Sequence, residues 1–100
     1  MHIHIAVYRW KADTVAADID VALAEIAALE QKIDGIVEIS CARNESRYAE
    51  GYTHVILVRA KDAEALAAYR SHPDHDRAAT RIEAFEENGI GVDFVTSRNM

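Results

Sequence analysis

Residues 69–75 read Tyr69-Arg70-Ser71-His72-Pro73-Asp74-His75, and they break an otherwise helical pattern that begins at Asp62 and runs past Phe85. A proline pushes the residue before it out of the helical region and suits the first position of a new helix. His72 therefore leaves one helix and Pro73 opens the next. Tyr69 falls at the end of the first helix, which Asp62 caps and which carries Leu66. His75 falls in the first turn of the second, which continues through Ile82 and Phe85 to Asn88-Gly89.

Upstream, Gly51-Tyr52-Thr53-His54 leads into a strand, Tyr52 to Arg59, in which His54 alternates with Tyr52 and Ile56. The polar loop Arg43 to Gly51 connects it to a strand at Ile36 to Ala42, and its Glu45, Arg47 and Glu50 read as a solvated rim. At the N-terminus Met1 to Trp10 alternates as period two demands, with Ile3, Ile5 and Val7 on one side and His2, His4, Ala6, Tyr8 and Trp10 on the other. From Asp13 the spacing becomes that of an amphipathic helix through Ile19, Leu23, Ile26 and Ile33, with Asp13 or Thr14 as its cap and Gly35 as its stop. Ile90 to Val95 closes the series as a fourth strand. The order β-α-β-β-α-β predicts a ferredoxin-like α+β domain with a four-stranded antiparallel sheet.

Tyr69 and His75 ride on helical segments, so they can approach His54 only on the helix side of the sheet. The opposite face then carries Ile3, Ile5, Val7, Val37, Ile39, Val55 and Leu57. An apolar face of that size is expected to be covered by a second copy, which makes the predicted assembly a homodimeric α+β barrel.

One hundred residues, half of them apolar and with a single proline, predict one domain spanning 1–100. A net charge of −6 without a basic stripe argues against nucleic acid and against an anionic membrane surface. No apolar run reaches the roughly 18 residues of a membrane span. The lone Cys41 reads as a small buried hydrophobe, and with no signal-like leader the expected location is the cytoplasm. His2-x-His4 with His54 has a spacing that could chelate a metal, but no carboxylate stands at a fixed spacing beside it, and no metal is expected. Phosphate loops, nucleophile elbows and dinucleotide fingerprints are missing, so no cofactor is expected either.

Four stretches, His4 to Lys11, Gly51 to His54, Tyr69 to His75 and Val92-Asp93-Phe94, together resemble the Dabb family of stress-responsive dimeric α/β-barrel domains. The resemblance implies a pocket between helices and sheet. In plant polyketide cyclases of that kind a tyrosine and a histidine close a poly-β-keto chain, and those roles would fall on Tyr69 and His75. His4 and His54 match two further pocket histidines. Helix one offers Ala22, Leu23 and Ile26 in place of pocket aromatics, so a long alkyl tail is not the expected ligand.

Read residue by residue, His75 is a general base kept neutral by its place in a first helical turn, or an exposed helix-start histidine. Tyr69 is a hydrogen-bond donor to an enolate, or a core tyrosine. His4 and His54 either touch substrate or are satisfied structural imidazoles. Tyr8, with Trp10, is pocket wall or core, and Ile26 and Ile56 complete the substrate contacts. His72 is expected to brace the helix start. The predicted function is a cofactor-free lyase or cyclase acting on a small carbonyl compound. A non-catalytic metabolite-binding protein and a cofactor-free monooxygenase are the alternatives.

Overall fold

The computed structural model describes residues 1–98. Four strands, β1 (His2–Trp10), β2 (Ile36–Arg43), β3 (His54–Ala60) and β4 (Glu86–Val95), form one antiparallel sheet in the order β2-β3-β1-β4. Helices α1 (Ala16–Ala28), α2 (Ala63–Ser71) and α3 (Pro73–Phe85) pack on one face. This is the expected ferredoxin-like α+β fold, and the break at His72-Pro73 does divide two helices.

The helix caps explain the element boundaries. Asp62 Oδ1 accepts from the Ala65 amide at 2.8 Å and starts α2. His72 Nδ1 accepts from the Asp74 amide at 3.0 Å and starts α3, so this histidine is a capping residue. α1 begins later than expected, after Val15, without a side-chain cap. Thr14 is engaged elsewhere, its hydroxyl donating to the Phe85 carbonyl at 3.4 Å. Gly35 takes a left-handed φ of 87°, and a Cβ there would lie 2.8 Å from that of Ala65, so the turn requires glycine.

Period two assigns the sheet faces. His4, Ala6 and Tyr8 of β1 point toward the helices, as do His54, Ile56, Val58 and Ala60 of β3. Between them and the helices sits a core of Ile19, Leu23, Ile26, Leu29, Leu66, Tyr69 and Ile82. Ile39 belongs to this core, which corrects its expected place on the opposite face. An irregularity between Ile36 and Glu38 resets the alternation of β2, so Ile39 turns inward. Glu38 then pairs with Arg59, Nε to Oε1 at 2.7 Å.

The outer face is apolar nonetheless. Ile3, Ile5 and Val7 of β1 lie beside Val55 and Leu57 of β3 on one side and beside Ile90, Val92 and Phe94 of β4 on the other. The three β4 side chains are 45–48% exposed. β4 starts at Glu86, earlier than the Asn88-Gly89 stop had implied, and its share of the patch comes from Ile90, Val92 and Phe94, within the expected strand. No helix among the described residues is long and apolar enough to cross a membrane.

Candidate functional site

A cavity of about 360 Å³ opens between β1, α2 and α3. His4 and Tyr8 reach it from β1, Ile56 from β3 and Ile26 from α1. Tyr69 and Arg70 enter from the end of α2, and His75, Ala79, Ile82, Glu83 and Glu86 form one stripe along α3 and just past its end.

Tyr69 and His75 meet edge to face, ring centroids 4.7 Å apart at 70°. Tyr69 is 1% exposed, and its hydroxyl has no hydrogen-bond partner among the described residues. Burial raises its pKa well above the ordinary tyrosine range, so the hydroxyl stays a donor. Burial lowers the pKa of His75 below 6.5; Asp76 opposes this, and the charges of His4, Arg70 and His72 add to it. Its Nδ1 is buried without a partner. The result is a neutral imidazole, with one nitrogen free to accept a proton, against a protonated phenol.

His4 lies 6.4 Å from Tyr69, centroid to centroid, and its Nδ1 is 2.6 Å from Asp93 Oδ1. Hydrogen bonds from His4 and Arg70 hold the Asp93 carboxyl below the usual carboxylate range. An ionised Asp93 accepts, so His4 Nδ1 donates. Arg70 Nη2, 3.3 Å from that same nitrogen, is then a second donor and makes its bond to Asp93 Oδ2 at 2.7 Å.

His54 is the exception among the expected contacts. It lies outside this cavity and borders an open groove between α1 and β2. Its Nδ1 receives the Trp10 indole N–H at 2.8 Å and lies 2.8 Å from the Thr53 hydroxyl. Burial, then the charge of Arg43, lowers its pKa, so it is a neutral, hydrogen-bonded structural imidazole. His54 pairs with Tyr8 at the end of β3, but its ring is held by the Trp10 indole and faces the groove on the β2 side. Trp10 stacks on Tyr8 at 5.1 Å and turns its indole edge to His54, so it belongs to the core margin. Among the described residues no three His, Cys, Asp or Glu side chains converge as a metal site would require. Cys41 is a free thiol whose pKa burial raises to about 11, far from thiolate reactivity.

Arg70, Ala79, Ile82, Glu83 and Glu86 were not foreseen as cavity residues. The signal was available, since positions 75, 79, 82, 83 and 86 follow helical spacing from His75.

Fold and cavity together define a ferredoxin-like α+β protein with a largely apolar cleft between helices and sheet that carries a few polar side chains. The stress responsive A/B barrel domain (Dabb) matches residues 3–96, and the chain belongs to that family. A curated relative, the stress-response A/B barrel domain-containing protein DABB1 of Arabidopsis thaliana, is 30% identical over 69 residues. That alignment covers 66% of this chain and 33% of the relative, so the chain spans about a third of its length. Among solved structures, a dimeric ferredoxin-like protein of unknown function from Jannaschia sp. CCS1 is 25% identical with a TM-score of 0.87, covering 95% of this chain and 98% of that one. The hydroxynitrile lyase of Passiflora edulis shares the fold at 16% identity and a TM-score of 0.84, over 99% of this chain and 95% of the lyase.

Proposed function

We infer that the chain is a homodimeric, cofactor-free lyase or cyclase that removes a proton next to the carbonyl of a small molecule. The observation that carries this reading is the Tyr69–His75 contact at the cavity, a neutral imidazole against an unpartnered phenol. His75 takes the C–H proton on a free ring nitrogen, and the electron pair of that bond passes to the carbonyl as an enolate. The Tyr69 O–H donates to the enolate oxygen. The enolate carbon then attacks a second carbonyl, or expels a leaving group, and the imidazolium returns its proton to the product. His4, Tyr8, Ile26 and Ile56 hold the substrate, with His4 set by Asp93.

Two likenesses support the chemistry. The motifs read from the sequence are similar to those of plant polyketide cyclases in which a tyrosine and a histidine act together, and a hydroxynitrile lyase is built on the same fold. The apolar outer sheet face and the dimeric relative from Jannaschia support the homodimer. The free thiol of Cys41 suits the reducing cytoplasm. The rival use of the same cavity is binding without reaction.

Acetophenone, titrated while the Tyr69 and His75 resonances are followed, tests occupancy. The parent should show saturable shifts confined to cavity residues, and Tyr69→Phe should weaken them. Shifts confined to the His54 groove would remove the cavity from the account.

A further inference from the structure

The α3 stripe that carries His75 ends in two carboxylates. Glu83 and Glu86 both line the cavity, and Glu86 is half-buried where α3 passes into β4. Its Oε2 lies 2.6 Å from the position a Cβ would take on Gly89, and the Tyr8 ring lies 3.3 Å from the same point. Gly89 therefore leaves room for the Glu86 carboxylate beside the Tyr8 ring. Burial and the nearby charges of Glu86, Cys41 and Glu83 hold the Tyr8 hydroxyl protonated.

The basic side chains around this end are engaged with other groups. Arg81 pairs with Glu25, Arg9 with Glu87 and Arg70 with Asp93, while Lys11 Nζ donates to the Ala84 carbonyl. Among the described residues neither Glu83 nor Glu86 has an ion-pair or hydrogen-bond partner for its side chain. Tyr69, 1% exposed and equally unpartnered, lines the same cavity. Glu83 is exposed to solvent, whereas the half-buried Glu86 carboxylate stands beside apolar walls and is left to be met by a cation or donor in the cavity.

We propose that the cavity selects substrates carrying a protonated amine as well as their carbonyl, with Glu86 as the main counter-ion and Glu83 as the second. The inference rests on the reading that the cavity binds carbonyl compounds. The amine meets the carboxylates while the carbonyl meets Tyr69 and His75, and substrates with a carboxylate in place of the amine are repelled.

Three matched probes test this: 4-(aminomethyl)acetophenone, 4-(hydroxymethyl)acetophenone and 4-acetylbenzoate, titrated calorimetrically. The amine should bind about tenfold tighter than the alcohol, and the carboxylate more weakly than either. Glu86→Gln should remove most of the amine preference, and Gly89→Ala, which displaces the Glu86 carboxylate, should reduce it. Glu64→Gln on α2, exposed and outside the cavity lining, changes the net charge equally and should leave it intact. Equal binding of all three probes, with Tyr69→Phe still weakening each, would overturn the amine assignment and leave the ligand cavity standing. An equal loss in Glu64→Gln and Glu86→Gln would overturn it too, since net charge alone would then account for the preference. Failure of every probe to bind the parent would overturn the cavity reading and this inference with it.

Discussion

The ring of His75 stands edge-on to that of Tyr69 at 4.7 Å, although a helix break separates the two residues. Pro73 and the His72 cap create that relationship. A continuous helix would carry residue 75 onto a different azimuth from the one at which α3 presents it. The contact joins a base and a donor whose protonation states burial has already set.

The imidazole of His75 should titrate below its ordinary 6.5, because burial disfavours the cation. Catalysis by the neutral form should therefore be flat above pH 6.5 and fall as pH drops through the lower value in the folded protein. Stability should follow the same direction. A depressed folded pKa, here for His75 and His54 alike, gives stability that is full above 6.5 and lost as pH falls. Thermal unfolding across pH 7.5 to 5 and an NMR titration of the five histidines check both statements.

Trp10→Phe keeps an aromatic ring and removes the N–H that His54 Nδ1 receives. A lost buried hydrogen bond costs about 1 kcal/mol, which lowers the unfolding midpoint of a domain this size by about 4–8 °C. Acetophenone binding in the Tyr69–His75 cavity should be unchanged, since His54 lies outside it.

Val92→Asp places a carboxylate amid the apolar outer face beside Ile5. A charge buried there without a partner cannot be solvated, so the dimer should split or unfold. Light scattering should give twice the 11.1 kDa chain mass for the parent and lose that species in the variant.

Periodicity and turn chemistry made most of the fold readable: β1 through its alternation, and the α2–α3 break through His72-Pro73. Ile39 was misassigned because a β-bulge shifts the phase of a strand without a signature in residue type. The start of α1 was misplaced because Val15, which has no capping side chain, takes the cap position while the Thr14 hydroxyl turns to the distant Phe85 carbonyl, a tertiary contact that local sequence does not encode. In the site, His4, Tyr8, Ile26, Ile56, Tyr69 and His75 do surround one cavity. His54 does not, since the tertiary contact with the Trp10 indole holds its ring on the β2 side. Glu83 and Glu86 lay on a readable helical stripe, but as charged residues they also fit a solvated face.

The central claim is proton abstraction by His75 next to a carbonyl, and hydrogen–deuterium exchange at the methyl group of acetophenone in D2O reads that step alone. The parent should accelerate exchange above an equal concentration of free imidazole. His75→Ala should lower the protein-dependent rate on the order of 100-fold, and Tyr69→Phe should lower it with little change in affinity. Acetophenone that binds in the cavity but exchanges no faster than with imidazole, or exchange that survives in His75→Ala, would contradict the account.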